Sequence, residues 1–444
     1  MNPLQRLRRS ARITTTASRI GAGYRWRSWR YASLPAEEAE RRLSAYHRRC
    51  AERIFETATE LKGLLIKVGQ LIGARADVVP NEYVEVLSQL HDAVPPRPYS
   101  VIRGVIESEL GTSVEEVFSE LDRTPIAAAS LAQVHKGRLQ DGREVAVKVQ
   151  YPEIDEIVRT DIQNIRMLGR VADRVFHAFD IMPIVEELAS TVPLELDFIN
   201  EGHNAEASAR NFAGQPNVIV PDIYWEHTTK RLLIMEFVDG IKITDLAAID
   251  AAGIDRQEIA RLVTGSYFRQ IFAHGFFHAD PHPGNLFVRP GPKLVIVDYG
   301  LAKQLPPEFL GNFGRLTHAL VAADTPTLAR ALGELGFSTR DDDASGLEAM
   351  AESMVTWLSR NGEFNQDGQL MAEFQESMIS AYRENPIVRV PSDFLFIGRV
   401  LGLLGGLAKQ LGSELNLLDV LGEEVSDEVS GEVSDEVSEA APPG

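Results

Sequence analysis

The chain has a single cysteine, Cys50, and no long uncharged hydrophobic run. One cysteine excludes an intrachain disulfide and is typical of a reducing compartment. A membrane-spanning helix needs about 18 or more consecutive apolar residues. The most apolar stretch, FLFIGRVLGLLGGLAKQLG from Phe394, is interrupted by Arg399 and Lys409 and so predicts a buried packing helix. The basic N-terminal segment lacks the apolar core of a signal peptide. We therefore expect a cytoplasmic protein without a transmembrane helix.

Basic residues are scarce relative to acidic ones, with 45 Lys and Arg against 64 Asp and Glu, for a net charge of −19. The two ends of the chain are opposite in charge. The first 36 residues hold eight arginines and no acid, and residues 423–439 hold eight acids and no base. Because these ends cancel, the body between them is itself acidic. An acidic body argues against nucleic acid as a main partner.

The two terminal segments differ from the rest in composition. Residues 1–35 are rich in Arg, Ser and Thr without hydrophobic periodicity, and predict a basic mobile tail. Within them, YRWRSWRY (24–31) interleaves arginines with tyrosines and tryptophans. Two interpretations stay open: the aromatic side chains dock on the protein body, or the segment makes a peripheral contact with an anionic membrane surface. The repeated E-V-S-[DG] unit of residues 422–444 predicts an acidic disordered tail.

The segment HGFFHADPHPGN (274–285) contains three histidines spaced four residues apart, His274, His278 and His282. On one helix this spacing would align three imidazoles for zinc. Pro281 and Pro283 remove backbone donors and push the preceding residues away from the helical region. The three histidines therefore should not share a helix face, and the pattern disfavours a metal site built from them.

The same segment fits the phosphoryl-transfer pattern H-x-D-x-x-x-x-N, at His278, Asp280 and Asn285, and the run KLVIVDYG then reaches Asp298. In such a site Asp280 would orient the attacking hydroxyl or accept its proton. Asn285 and Asp298 would hold Mg²⁺, which takes few hard oxygen ligands and fills the rest with phosphate and water. The alternative is a Pro/Gly turn with solvated acids, which the joint spacing of two motifs disfavours.

Hydrophobic patterning divides the remaining chain into three segments. Residues 36–98 are predicted to be a helical unit that closes at a cluster of prolines. Residues 99–240 are predicted to be a strand-rich lobe with a helical insert at 153–215. Residues 241–421 are predicted to be mainly helical apart from the hairpin that carries Asp280.

Two stretches of the strand-rich segment, EVAVKVQ and RLLIMEFVDG, suggest nucleotide binding. Asp141-Gly142 separates two alternating runs and predicts a hairpin. The second run, EVAVKVQ, places Lys148 on a strand, as does the lysine of kinase-type folds that binds the α/β-phosphates. Further along, RLLIMEFVDG predicts a strand that ends at a glycine, and Glu236 to Val238 would offer backbone groups to a base.

Four motifs together resemble the AarF/UbiB-type family of atypical protein-kinase-like proteins, over residues 36–420. They are K-x-G-Q, an alanine-rich loop in place of a glycine-rich one, E-x-D with a following helix glutamate, and the pair HADPHPGN and DYG. K-x-G-Q together with the alanine loop is the most specific. Tyr299 departs from the family, where phenylalanine is usual after the metal aspartate. The residues of the first three motifs are Lys67, Gln70, Ala127, Ala128, Ala129, Ser130, Glu195, Asp197 and Glu201.

The resemblance implies an α+β, two-lobed protein-kinase-like fold with an N-terminal helical extension across the mouth of the active site. It implies ATP or ADP and Mg²⁺ as ligands, with the alanine loop, Lys148 and Glu201 on the nucleotide. Lys67 would pair with Glu195 or Asp197. The family is linked to ubiquinone and related prenyl-quinone or lipid metabolism, so a partner from that pathway is implied. Alanine lacks the freedom of glycine to adopt positive φ, so the loop should hold the nucleotide differently from an ordinary phosphate loop.

Two other functions stay open. A small-molecule phosphotransferase of the aminoglycoside or choline kinase type shares the H-x-D-x-x-x-x-N loop and the metal aspartate, but K-x-G-Q and the alanine loop argue against it. A non-catalytic nucleotide-binding scaffold is the second, although all the residues for metal binding and proton transfer are present. Turnover of ATP by the purified protein separates this scaffold from a kinase-like enzyme.

Overall fold

The computed structural model describes residues 2–31, 33–73, 80–91, 95–175, 182–339, 344–360, 387–389, 391–413, 415 and 420. These residues divide into two compact units. The first lies within 1–203 and 222–237, and the second within 204–221 and 238–444. The division after residue 237 is close to the lobe boundary predicted at 240, but the segment 204–221 belongs to the second unit. The predicted acidic tail, 422–444, lies outside the described residues.

Helices make up the N-terminal half of the first unit and cover part of its sheet. A 3₁₀ turn at Ser88–His91 follows the fourth helix. Lys62 and Gly63, with φ of +57° and +67°, separate the second and third helices. The helices that begin in this unit are α1 (Pro3–Tyr31), α2 (Ala36–Leu61), α3 (Leu64–Gly73), α4 (Asn81–Leu87), α5 (Tyr99–Leu110), α6 (Val114–Val117), α7 (Ile154–Val175), α8 (Met182–Glu195) and α9 (Phe198–Asn211).

Helix α1 corrects the prediction of a mobile N-terminal tail, because 29 residues form one helix that packs on the body. Arg9, Ile13 and Thr16 are buried. Tyr24 hydrogen-bonds the Tyr83 hydroxyl at 2.8 Å, so one of the predicted aromatics does dock on the body. The sequence shows no hydrophobic period here because the buried positions hold a charged and a hydroxyl side chain as well as an isoleucine.

The sheet of the first unit is antiparallel, in the order β1-β3-β4-β6, with β2 paired to β3. The hairpin predicted at Asp141-Gly142 is confirmed, since Arg138 pairs with Glu144 across it and Gly142 has φ +91°. Strand β4 alternates, with its valines in the main core and Lys148 on the opposite face. The strands are β1 (Phe118–Leu121), β2 (Ala127–Ala128), β3 (Ala132–Leu139), β4 (Glu144–Gln150) and, after β5 of the second unit, β6 (Leu232–Glu236).

The second unit contains a four-stranded sheet in the order β5-β10-β9-β7 and two smaller pairs, β8 with β11 and β12 with β13. Its strands are β5 (Val218–Ile219), β7 (Ile241–Lys242), β8 (Phe276–His278), β9 (Leu286–Arg289), β10 (Lys293–Ile296), β11 (Ala302–Gln304), β12 (Ser338–Thr339) and β13 (Ile387–Arg389). Its helices are α10 (Leu246–Ala251), α11 (Arg256–Phe268) with a π-helical turn at Arg269–Ala273, α12 (Pro307–Val321), α13 (Thr325–Glu334), α14 (Ala344–Arg360) and α15 (Ser392–Gln410). A 3₁₀ turn at Pro283–Asn285 precedes β9.

The antiparallel hairpin of β9 and β10 brings two predicted site residues to one end. Leu286, the first residue of β9, pairs with Ile296, the last residue of β10. Asn285 therefore precedes the hairpin at the end where Asp298 follows it, and the Val297 N–H donates to the Asn285 carbonyl at 3.0 Å. A difference of 13 positions in the chain becomes a short distance in the fold because antiparallel strands return to their starting edge.

Helix α15 covers the most apolar stretch of the sequence, and its buried face confirms the predicted packing helix. Ile397, Val400 and Leu404 are buried along that face. Asp393 in the first turn forms an ion pair with Lys303 of β11, with 2.9 Å between Oδ1 and Nζ. Within the part of the chain that the structure describes, no helix is both long enough and apolar enough to cross a bilayer.

Candidate functional site

In the first unit, Lys148 of β4 forms a buried ion pair with Glu201 of α9. The Lys148 Nζ to Glu201 Oε1 distance is 2.7 Å, and the side chains are 10% and 3% exposed. The ammonium also lies 5.3 Å from the centre of the Phe198 ring. A buried pair of this kind stays in place because either partner alone would leave an uncompensated charge. The arrangement fixes a cation on the face of the sheet opposite the main core.

The alanine-rich loop precedes β3 in the same unit. Ala127 and Ala128 form the short strand β2, and the Ala129 N–H donates to the Ala132 carbonyl at 2.8 Å. Ser130 is buried. None of the three alanines has a positive φ. The loop is thus a closed turn that uses the Ala129 N–H internally, and it differs from a glycine-rich loop, whose amides turn toward an anion.

The segment Glu236 to Val238 follows the last strand of the first unit's sheet. The Glu236 N–H donates to the Asp222 carbonyl at 2.8 Å, and the Phe237 N–H donates to the Glu144 carbonyl at 3.1 Å. Both donors are therefore used within the unit. The Val238 N–H makes no hydrogen bond within the described part of the chain, so it is the donor that remains for the base predicted at this segment.

The K-x-G-Q motif lies on α3, and its lysine selects one of the two acids of E-x-D. Lys67 Nζ is 2.9 Å from Glu195 Oε1 at the end of α8. Asp197 instead accepts the Ile199 N–H at 3.1 Å at the start of α9, and lies 3.6 Å from Lys230 Nζ. Glu195 is therefore the partner of Lys67, whereas Asp197 stabilises the first turn of the helix that carries Glu201.

The two other residues of K-x-G-Q differ in what the structure describes. Gly69 lies so close to the 3₁₀ turn after α4 that an added Cβ would be 2.2 Å from Leu90 Cδ1. A side chain at this position would force the Leu90 side chain to shift, whereas glycine fits without displacing it. The Gln70 side chain lies outside the described part of the chain.

In the second unit, His278 ties the H-x-D loop to the D-Y-G segment. Its Nε2 lies 2.8 Å from the Asp298 carbonyl oxygen, which can only accept, so Nε2 carries the proton. Its Nδ1 lies 3.1 Å from the Tyr267 hydroxyl and accepts the Asp280 N–H at 3.3 Å. Burial lowers the pKa of His278 and thus favours the neutral imidazole that this pattern requires. Tyr299 packs edge-on against the ring at 5.2 Å.

The Asp298 backbone is in the left-handed region, with φ +65°. A non-glycine residue there is uncommon, although Asp and Asn tolerate it best. The hydrogen bond from His278 to the Asp298 carbonyl holds this conformation. Such strain concentrates at functional sites, where the surrounding contacts compensate for it.

Asn285 and Asp298 fit the oxygen ligands of Mg²⁺. The Asn285 Nδ2 donates to the Asp280 carbonyl at 3.2 Å, so the amide oxygen is the Asn285 atom that would bind a metal. Among the described residues, no three His, Cys, Asp or Glu side chains cluster as a metal site. Two protein oxygens with phosphate and water completing the shell are what Mg²⁺ on a nucleotide requires.

Asp280 carries a contact that the sequence did not predict. Its Oδ1 accepts a hydrogen bond from Arg399 Nη2 of α15 at 2.7 Å. The two side chains are 20% and 28% exposed. The sequence showed Arg399 only as an interruption of an apolar run, although a lone arginine in such a run needs an acidic partner when it is partly buried.

The three histidines of the segment lie in different surroundings. His278 is the connection just described, and the His282 Nδ1 accepts the Gly284 N–H at 3.1 Å at the start of the 3₁₀ turn. His274 follows the π-helical turn after α11, and burial lowers its pKa. The helical segment ends at Ala273, before Gly275 with φ +59°, and His278 lies on strand β8, so the three histidines do not share a helix face, as the sequence indicated.

Known proteins are similar to this chain over most of its length. Residues 89–332 match the ABC1 atypical kinase-like domain. The AarF domain-containing protein kinase 1 of Xenopus laevis is 35% identical over 397 residues, covering 86% of this chain and 75% of that protein. The chloroplastic protein ACTIVITY OF BC1 COMPLEX KINASE 8 of Arabidopsis thaliana is 33% identical over 403 residues, covering 83% of this chain and 53% of that protein.

A solved structure is similar to this chain, and the similarity extends over nearly the whole length of that structure. It is the complex of Rv3197 with erythromycin from Mycobacterium tuberculosis, with a TM-score of 0.59 and 25% sequence identity. The similarity covers 87% of this chain and 97% of that one. Together with the domain match, it confirms the predicted α+β, kinase-like fold with N-terminal helices.

Proposed function

The chain belongs to the ABC1 atypical kinase-like family of AarF domain-containing proteins, and on this premise we propose that it binds ATP or ADP with Mg²⁺ and transfers or hydrolyses the γ-phosphoryl group. The observation that carries the proposal is the His278 connection. It holds Asp280 and Asp298 in one arrangement, with the Asn285 amide oriented by the Asp280 carbonyl. This set combines a proton acceptor with two metal ligands, as phosphoryl transfer requires.

The proposal assigns a role to residues of each unit taken by itself. In the first unit, Lys148 would neutralise phosphate charge, and Glu201 keeps its ammonium in position. In the second, Asn285 and Asp298 would bind the metal, and the chemistry supplied by bound Mg²⁺ is charge neutralisation on phosphate oxygens. Asp280 would orient the attacking hydroxyl or water and accept its proton.

We further propose that the activity serves quinone or related lipid metabolism, with a protein or lipid of that pathway as partner. Support comes from the family resemblance and from the relative whose name refers to the activity of the BC1 complex. A comparison of quinones and lipids in cells with and without the protein tests this part, and unchanged profiles would contradict it.

The two alternatives give different results in one assay with purified protein. A scaffold binds Mg-ATP without turnover. A small-molecule phosphotransferase turns over only with an added alcohol or amine acceptor and responds little to lipid. A kinase-like enzyme of quinone metabolism hydrolyses or transfers phosphate, and lipid changes the rate. The ion pair of Lys67 with Glu195 favours the last, because it is made by the motif that distinguishes this family from small-molecule kinases.

We expect Asp298→Asn to weaken Mg-ATP binding at least about tenfold, or about 1.4 kcal/mol, because the amide is a poorer metal ligand than the carboxylate. Asparagine tolerates the left-handed backbone, so the fold should survive. Calorimetry with Mg²⁺ and with EDTA separates the metal effect from nucleotide binding alone. Asp239→Asn, at an exposed acid of the same unit, is the control. Equal Mg-ATP affinity in Asp298→Asn and the parent would rule out Asp298 as a metal ligand.

We expect Arg399→Met to lower turnover about tenfold while the affinity for Mg-nucleotide stays at the parent value. The reason is loss of orientation, since displacement of a reacting group by about 1 Å can cost about 100-fold in rate. Arg399→Lys should restore part of the rate, and guanidinium ion should restore part of the activity of Arg399→Ala. Arg315→Met, which removes an exposed pair with Glu334, is the control. A parallel loss of affinity and rate would instead indicate a structural role.

A further inference from the structure

Helix α1 presents one continuous outer face along its whole length. The opposite face is the one that packs on the body through Arg9, Ile13 and Thr16. The exposed positions are spaced alternately four and three residues apart, which is the period of one helix face. The central line of this outer face consists of Leu4, Arg8, Ala11, Thr15, Ser18, Ala22, Arg25 and Trp29.

The outer face has large apolar side chains at both ends. Leu4 and Leu7 are 66% and 67% exposed near the start of α1, and Trp26 and Trp29 are 48% and 79% exposed near its end. They are half of the eight large hydrophobic side chains that are exposed among the described residues. A soluble surface seldom exposes such residues along one line unless they bind something.

The charge of α1 is of one sign. The helix contains eight arginines and no acid. Three arginines outside the central line have acidic partners, Arg6 with Glu156, Arg9 with Asp161 and Arg12 with Glu60. By contrast, the outer-face residues Arg8, Arg19 and Arg25 form no ion pair within the described part of the chain. The outer face therefore combines unneutralised guanidinium groups with exposed Leu and Trp side chains.

We propose that the outer face of α1 docks on an anionic lipid surface. A helix of 29 residues is about 40 Å long, at about 1.5 Å per residue, and suits a flat, extended partner. Leucine and tryptophan insert at the level of the lipid headgroups, and arginine binds their phosphates. The protein carries a net charge of −19, which an anionic surface repels, so the contact has to be made through its most basic element.

The chemistry of this face favours lipid over two other partners. Nucleic acid would bind the arginines but would leave the leucines exposed to water. A second copy of α1 would bring unneutralised arginines against each other. Neither partner uses both the apolar and the basic side chains, whereas an anionic bilayer surface uses both.

The experiment uses the full chain and sedimentation with two kinds of vesicle, phosphatidylcholine alone and phosphatidylcholine with phosphatidylglycerol. The parent should bind the anionic vesicles and lose binding as salt rises. Arg8→Gln with Arg25→Gln should lower partitioning about 30-fold. Trp26→Ala with Trp29→Ala should lower it as well. These are point variants because deleting α1 would also remove Arg9 from its buried partner. Leu194→Ala and Arg123→Gln, at exposed positions outside α1, are controls expected to match the parent.

Three outcomes would overturn the inference. One is equal binding to neutral and anionic vesicles, and another is parent-like binding by both double variants. The third is concentration-dependent self-association that Trp29→Ala abolishes, which would assign the face to a second copy. Nucleotide is absent from the assay, and ATP turnover of the α1 variants is measured separately and should equal that of the parent. Failure of the lipid assignment would therefore leave the proposed function unaffected, and the reverse also holds.

Discussion

Replacement of Asp280 by asparagine is expected to lower ATP turnover by about 10² to 10⁴-fold, the range over which positioned general bases contribute. Asparagine has the same shape and keeps an oxygen for Arg399, which donates to the Asp280 carboxylate at 2.7 Å. It cannot accept a proton, however. Mg-ATP affinity should stay near the parent value, because Asn285 and Asp298 are the proposed metal ligands.

The measurement is single-turnover hydrolysis or transfer at saturating nucleotide, together with calorimetric affinity for Mg-ATP. Asp250→Asn, which alters an exposed aspartate paired with Arg256, is the matched control and should behave like the parent. If Asp280→Asn turns over at the parent rate, Asp280 is not the proton acceptor. If affinity is lost together with rate, Asp280 binds the metal rather than the attacking group.

Replacement of Arg9 by methionine is expected to destabilise the first unit by about 3–5 kcal/mol, the cost of removing one partner from a buried ion pair. Arg9 Nε and Nη2 both donate to the Asp161 carboxylate at 2.6 Å, and Nη2 also donates to the Lys62 carbonyl at 2.8 Å. Asp161 is fully buried, so methionine would leave an uncompensated carboxylate in the core between α1 and α7. The Lys62 carbonyl, at the break between α2 and α3, would also lose its donor.

Denaturant unfolding followed by circular dichroism in the far ultraviolet measures this loss, since α1 alone contributes 29 helical residues. Arg12→Met removes an exposed pair with Glu60 and should cost no more than about 1 kcal/mol. The double variant Arg9→Met with Asp161→Leu should be more stable than Arg9→Met, because no charge stays buried. An effect of Arg9→Met as small as that of Arg12→Met would show that the pair does not hold α1 in place.

The features that sequence reasoning predicted are local in the chain. Lys148 is on a strand because EVAVKVQ alternates, and the hairpin before it forms because Asp141-Gly142 favours a tight turn. Asn285 and Asp298 follow from the H-x-D-x-x-x-x-N and D-Y-G patterns, in which neighbouring residues determine the turn chemistry. The family and the kinase-like fold followed from the order of these motifs and are confirmed.

The features that it missed depend on partners far apart in the chain. Arg9 and Asp161 are 152 positions apart, and Arg399 and Asp280 are 119 positions apart. The N-terminal segment was predicted to be mobile because its sequence shows no hydrophobic period. It shows none because one of the buried positions of the helix holds an arginine. That arginine can be buried only where a distant acid compensates it, and a sequence pattern does not show which acid that is.

The sequence by itself determined the candidate residues for the proposed phosphoryl transfer, since Asp280, Asn285, Asp298 and Lys148 are chemical types at characteristic spacings. Only the tertiary structure decided which charged side chains of the predicted motifs pair with which partners. It pairs Lys67 with Glu195 rather than Asp197, and it places Arg399 on Asp280. The physical reason is that an ion pair depends on distance and burial, which packing sets, whereas turn and strand preferences depend on neighbours within a few residues.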